Sequence, residues 1–277
     1  MLEEPRPNQE GNDKIKEAIE SGRPFLASKI GSVERTVLAD RLQFNYYKPQ
    51  TKFEASNNAG ISPGDDSTLD FFFDVYSGAL SSVSFLGLWP PTIEESLVVQ
   101  NFASKAKCFG LRFLEPFYFQ NPWSESLEGK KVLIVHPFDE DIKQQYAKRE
   151  LLWQHNVLPE FELKTLKSKQ THGGGLQGSN LTFPEALEQM TEEMEKIDYD
   201  IAIIGCGAYG LILGDFALSC GKQAVHMGGG VQILFGIKGR RWDYHPEISA
   251  MYNEHWCRPR ASTRPLKFNQ VEGGTKW

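Results

Sequence analysis

The sequence predicts an α/β fold: a mostly parallel sheet with helices on both of its faces. Three observations carry this. Apolar runs such as Lys131-Val-Leu-Ile-Val-His136 and Asp200-Ile-Ala-Ile-Ile-Gly205 are too continuous for strands with one wet face, and read as strands covered on both sides. Longer segments with apolar residues at helical spacing alternate with them, as crossover helices do. Several of the runs end in a glycine turn that leads into the next helix.

Residues 1–24 read as a polar N-terminal extension with a short helix from Asp13 to Ser21, whose Ile15, Ala18 and Ile19 share one face. Residues 25–243 read as one domain. Its first strand, Pro24 to Gly31, leads into a helix from Ser32 to about Asn45, with Ser32 as the N-cap. Asn57 to Gly64 is a loop, and the helix from Ser67 to Ser81 carries a core stripe of Leu69, Phe72, Phe73, Tyr76 and Leu80. A strand from Ser84 to Trp89, a helix from Pro91 to Ala106 with proline at its start, and a strand from Cys108 to Leu114 come next. An aromatic loop, Phe117 to Trp123, precedes the Lys131 to His136 strand. A helix from Phe138 to Trp153 and a strand from Glu160 to Lys167 follow it. His172 to Gly178 is a flexible glycine loop, and Phe183 to Lys196 an acidic helix capped by Thr182. The strand from Asp200 to Gly205, a helix, a strand from Gln223 to Met227 and a last helix ending at Gly236 or Gly239 complete the domain. Residues 244–277, rich in Arg, Pro, aromatics and Gly, are expected to wrap the surface.

Composition narrows the function. A chain of 277 residues with 40% hydrophobic and 24% charged residues is an ordinary globular one. The net charge of −6 argues against a nucleic-acid partner, although Lys238, Arg240 and Arg241 form one local basic group and Arg258, Arg260 and Arg264 another. None of Cys108, Cys206, Cys220 and Cys257 forms a C-x-x-C pair, so zinc ribbons and thioredoxin-like redox chemistry are not indicated. Cys206 and Cys220 lie in apolar runs and are expected to be small buried thiols. The polar, acidic start is unlike a signal peptide, and no apolar run reaches the roughly 18 residues of a membrane span. The expected location is the cytoplasm, and the sequence leaves a homo-oligomer open.

Two strand–glycine-turn–helix units fall together between Tyr199 and Trp242. In the first, a strand runs into Gly205-Cys-Gly207-Ala208-Tyr209-Gly210. This G-x-G-x-x-G spacing lets backbone approach a phosphate and offers it a helix N-terminus. It fits a dinucleotide turn, but the next strand ends in Ala-Val-His226, not in the acidic residue a ribose needs. A turn that serves packing alone is the other reading. The second unit, His226-Met-Gly228-Gly229-Gly230, precedes a helix carrying Gln232, and Arg240 and Arg241 follow. Glycines at the C-terminal ends of adjacent parallel strands suit a ligand crevice, and arginine grips phosphate with two N–H groups. Each Arg alone reads equally as a solvated basic turn, and His226 as a core histidine. A third strand–glycine–helix turn is Ser28-Lys29-Ile-Gly31-Ser32-Val-Glu34. There Glu34 either complements the helix dipole or acts as a metal ligand or general base.

Together these segments resemble the bacterial GT-D glycosyltransferases. The resemblance runs over Gly205 to Gly210, Leu213-Gly-Asp215, Gly221-Lys-Gln-Ala-Val-His-Met-Gly-Gly229 and Phe235 to Asp243. It extends to Lys29 to Glu34, Asn58-Ala-Gly60 and Tyr146 to Glu150. It implies a Rossmann-like domain that transfers sugar from a nucleotide-sugar donor to a glycan or glycoconjugate acceptor in polysaccharide or glycoprotein synthesis. It also implies Mn²⁺ or Mg²⁺ near an Asp-x-Glu motif. Glu34 matches that motif's Glu. Ser32 stands in place of its Asp and Lys29 in place of an Arg, so a weaker divalent-ion site is expected. Lys29, Arg240 and Arg241 are the expected cations for a leaving diphosphate, and Glu34, Asp215 and His226 the candidate bases. A non-catalytic nucleotide- or sugar-binding relative and an NAD(P)-binding oxidoreductase are the alternatives.

Overall fold

The computed structural model describes residues 6–176 and 179–277; Gln177 and Gly178 of the expected glycine loop and the first five residues of the extension lie outside the described residues. In chain order the first half holds α1 (Gln9–Glu20), β1 (Leu26–Lys29), α2 (Ser32–Phe44), α3 (Pro49–Glu54), α4 (Asp66–Ser81), β2 (Phe85–Leu88), α5 (Ile93–Phe102) and β3 (Lys107–Gly110). The second half holds β4 (Lys131–His136), α6 (Asp139–Tyr146), β5 (Glu162–Lys167), α7 (Phe183–Glu195), β6 (Ile201–Ile204), α8 (Tyr209–Ser219), β7 (Gln223–His226), α9 (Gly230–Leu234) and α10 (Pro246–Ala250). The seven strands form one sheet in the order β3-β2-β1-β7-β6-β4-β5, and every pairing is parallel. This is a Rossmann-like α/β fold.

Both sheet faces are dry. Leu133 and Val135 of β4 enter one core with α2, α4, α5, α7 and α8, while Val132 and Ile134 enter a second with α1, α6 and α9. The alternation of a strand therefore runs from one apolar layer to another, which explains the unbroken apolar runs. Right-handed crossovers fix which helix takes which face. The steps β1→β2, β5→β6 and β6→β7 move toward the β3 edge and lay α4, α7 and α8 on the first face. The step β4→β5 moves the other way and lays α6 on the second. Neighbouring β4 and β6 thus send their chains to opposite faces, and a crevice opens beyond their C-terminal ends.

Several boundaries differ from expectation. Gly31, not Ser32, is the N-cap of α2, and no side chain caps it. The Glu34 carboxylate lies over Gly31 instead, so closely that a methyl group there would collide with it. The 57–64 loop is half helical: α3 runs into a π-turn at Ala55–Ala59, closed by Gly60 at φ 80°. The strand from Cys108 is cut to Lys107–Gly110, and a 3₁₀ turn at Leu111–Leu114 rotates Phe113 and Leu114 into the second core. The helix after Phe138 stops at Tyr146, and a separate 3₁₀ turn at Arg149–Leu151 follows. Cys206 is buried, but Cys220 ends α8 and is exposed. Thr182 caps α7 as expected, in a full capping box with Glu185. The last helix of the domain, α9, has five residues and stops before Gly236, whose φ is 61°. Residues 244–277 do more than cover the surface: Val271 is fully buried, and Trp277 is 4% exposed. Among the described residues no helix is long and apolar enough to cross a membrane.

Candidate functional site

A cavity of about 280 Å³ lies over the C-terminal ends of β1, β7, β6, β4 and β5. The turn after each strand contributes to it: Gly31 to Glu34 after β1, Gly228 and Gly229 after β7, Gly205 to Gly207 after β6, Pro137 and Phe138 after β4, and Ser168 to Gln170 after β5. The parallel sheet alone brings these segments together, since every strand presents its C-terminal end to the same edge.

The two glycine turns of the sequence reading sit side by side. A methyl group on Gly205 would lie 2.6 Å from the Gly228 carbonyl oxygen, so one turn packs directly on the other. Gly207 and Gly228 have φ of 62° and 58°, the left-handed region that glycine tolerates without strain. The Lys29 side chain extends from the end of β1 over Gly228: a methyl group there would be 2.7 Å from Lys29 Cε and 3.2 Å from Nζ. Arg241 lines the rim, paired with Glu272 at 2.5 Å and lying over the Trp242 ring at 5.4 Å. The N-terminus of α8 opens on the same space through Cys206, Gly207 and Tyr209. Tyr209 is held by stacking on Phe183 at 4.4 Å and by a 2.6 Å hydrogen bond between its hydroxyl and Thr171 Oγ1.

Of the expected site residues, Lys29, Gly31, Ser32, Glu34, Gly205, Gly207, Tyr209, His226, Gly228, Gly229, Gln232 and Arg241 line the cavity. Four do not. Asp215 is six residues into α8, about 9 Å along the axis from the end that faces the cavity. Arg240 is exposed and does not line the cavity. Ala208 and Gly210 are buried beneath it, and Gly210 is where the His226 ring packs: a methyl group there would collide with Nε2.

Three histidines surround the cavity, and burial pushes the pKa of each down to about 3. His226 Nδ1 is 3.0 Å from Ser28 Oγ, and Lys29 lowers its basicity further. His136 Nδ1 accepts from the Phe138 N–H at 3.0 Å. The His172 ring stacks on Trp277 at 6.0 Å. An imidazole whose pKa lies near 3 is a weak base, so none of the three is a ready proton acceptor.

No protein-family profile matches the chain, and no curated protein does. Among solved structures, a selenomethionine-substituted domain of unknown function 1792 is similar to it at TM-score 0.46 and 13% identity, covering 98% of this chain and 89% of that one.

Several lining residues were not singled out in the sequence. His136 ends the strongest strand and Phe138 follows it, and the C-terminal end of such a strand was the available signal. Ser168, Lys169 and Gln170 directly follow β5, and His172 opens the 3₁₀ turn beyond them, so here too the position past a strand end was the available signal. Lys276 and Trp277 carry no local signal. Five buried polar atoms of lining residues have no hydrogen-bond partner among the described residues: Ser168 Oγ, Gln170 Oε1, His172 Nε2, His226 Nε2 and Trp277 Nε1. Buried groups left this way cost about 1–3 kcal/mol each, and they gather where a polar ligand would meet them.

The donor set does not fit a divalent ion. The carboxylates of the lining are Glu34 and Glu272, and Glu272 is committed to Arg241. Lys29 and Lys276 face the same space, and among the described residues no three His, Cys, Asp or Glu side chains group in a way that could hold a metal.

Glu34 is 8% exposed in the first turn of α2 and faces the cavity. A carboxylate there complements the helix dipole by about 0.3–1 kcal/mol. Glu34→Ala should therefore move the melting temperature by no more than a few degrees, while turnover collapses. A large stability loss with full activity per folded molecule would make Glu34 a cap and nothing more.

Proposed function

We propose that the chain is a glycosyltransferase that takes sugar from a nucleoside-diphosphate donor. The observation that carries this is the meeting of Lys29 with two interlocked glycine turns at the switch point of a parallel sheet, with Arg241 at the rim. A diphosphate suits it: backbone can approach closely, the α8 N-terminus favours negative charge, and Lys29 stands over the Gly228 turn with Arg241 at the rim. The resemblance in sequence to GT-D enzymes points the same way.

In the proposed reaction an acceptor hydroxyl oxygen bonds to the anomeric carbon as the bond from that carbon to phosphate breaks. The electron pair leaves with the diphosphate, where Lys29, Arg241 and the helix N-terminus stabilise the growing charge. The hydroxyl proton passes to a base. Of the three candidates, Asp215 lies away from the cavity, and His226 is a weak base whose Nε2 packs against Gly210 and whose Nδ1 meets Ser28 Oγ. That leaves Glu34, whose carboxylate borders the cavity. Cations replace a divalent metal in this proposal, since Ser32 stands where a second carboxylate is needed.

Thermal melts and donor hydrolysis test the reading. UDP-, GDP- or dTDP-sugar at about 100 times its Kd should stabilise the fold by about 2.7 kcal/mol, a rise of about 5 °C or more. The shift should persist in excess EDTA. If no nucleotide-sugar raises the melting temperature or is hydrolysed, the transferase reading fails. A shift with NAD(P) alone would favour an oxidoreductase, and a shift abolished by EDTA would restore the metal.

A further inference from the structure

The chain from Phe268 to Trp277 crosses three loops of the cleft and enters it. Asn57 Nδ2 donates to the Gln270 carbonyl at 2.8 Å, and the Glu272 N–H donates to Asn58 Oδ1 at 3.4 Å, which hangs the segment on the π-turn. The Arg241 N–H donates to the Thr275 carbonyl at 3.0 Å, and the Arg241 side chain pairs with Glu272. Gln232 Nε2 donates to the Lys276 carbonyl at 3.1 Å, tying the inner end to α9.

That inner end is badly matched to its surroundings. The Lys276 ammonium is partly buried, and its closest acceptor is the Asn58 carbonyl at 3.5 Å. Burial pulls its pKa down, and the positive charges of Arg241 and Lys29 pull it further, against Glu272 and Glu34. Trp277 stacks on His172 at 6.0 Å, and among the described residues its Nε1, His172 Nε2, Ser168 Oγ and Gln170 Oε1, all in the cavity lining, stay unpartnered. The segment is thus anchored by good bonds on the rim and unsatisfied inside. An anion in the cleft would meet the Lys276 and Lys29 ammonium groups and, at the rim, the Arg241 guanidinium that Glu272 already holds in place.

We propose that Lys276 is a phosphate-binding residue carried on a strap, residues 268–277, and that a diphosphate-class anion in the cleft and the docked strap stabilise each other. This rests on the diphosphate reading of the cleft. The coupling is reciprocal: whatever the anion adds to strap docking, docking adds to anion affinity.

Inorganic pyrophosphate isolates this chemistry from sugar and base. It should bind the intact chain, slow amide exchange across residues 268–277 and lose affinity as salt rises. Lys276→Ala should weaken it by about tenfold or more and abolish the slowing, while Lys276→Arg restores both. Lys267→Ala, which removes an exposed charge of the same sign just outside the strap, should change neither. Pyrophosphate affinity unchanged in Lys276→Ala, with Lys29→Ala weakened, would overturn the strap and leave the diphosphate reading standing. Binding with no change in strap exchange would overturn it as well. If neither pyrophosphate nor any nucleoside diphosphate binds, the strap and the reading beneath it fall together.

Discussion

Acidification from pH 7 to pH 5 is expected to cost the fold about 6 kcal/mol. His136, His172 and His226 are each held by burial at a pKa of about 3, against the ordinary 6.5 they regain on unfolding. Between those values the unfolded chain binds a proton at each histidine and the folded chain does not. Stability therefore rises with pH through this window, and is lost as pH falls below about 6.5. At pH 5 each histidine has forfeited about 2 kcal/mol, and three together approach the roughly 5–15 kcal/mol that holds a typical domain. The physical cause is specific. His226 Nε2 is buried against Gly210, His136 Nδ1 is occupied by the Phe138 N–H, and His172 lies under Trp277 beside the Lys276 charge. Urea midpoints at pH 7, 6 and 5 should fall steeply, with proton uptake on unfolding approaching three near pH 5. His172→Asn and His226→Asn should each remove about one proton from that uptake. A flat stability profile over this range would show that the histidines are not sequestered.

The parallel sheet was legible because both of its faces are dry. β4 and β6 had to read as apolar runs, since their alternate residues enter two different cores. The ends of elements were less legible. Phe113 and Leu114 continue an apolar run past β3, but they serve the second core from a 3₁₀ turn, and composition is the same in either conformation. In the site, strand-end glycines were readable because backbone that approaches other backbone leaves no room for a side chain. Asp215 and Arg240 were misplaced for the opposite reason. Closeness in sequence to a glycine turn does not put a side chain at the turn, and six residues of helix carry Asp215 away from it. Lys276 and Trp277 reach the cavity by a tertiary path through residues 244–277, and no local pattern encodes such a path.

Gly205→Ala should both destabilise the fold and abolish diphosphate binding, and the two effects share one cause. The added methyl group would lie 2.6 Å from the Gly228 carbonyl oxygen, 2.9 Å from His136 Cδ2 and 2.9 Å from Val231 Cβ. None of the three is the loose end of a long side chain. The Gly205 N–H also donates to the Val135 carbonyl at 2.9 Å, so the residue cannot slide away without breaking its link to β4. Relief then requires the β7 turn to move off the β6 turn, at an overpacking cost of about 1–3 kcal/mol. Gly221 separates this from ordinary glycine strain. It follows α8 at the opposite sheet edge, with φ 73° and nothing within 4 Å of an added methyl group, so Gly221→Ala pays only for its backbone, about 1–2 kcal/mol. The two variants should therefore melt at similar temperatures below the parent. Calorimetric titration with pyrophosphate and with nucleoside diphosphates should find binding kept in Gly221→Ala and lost in Gly205→Ala. Equal affinity in both would mean that the paired glycine turns are packing and that the phosphate cradle lies elsewhere.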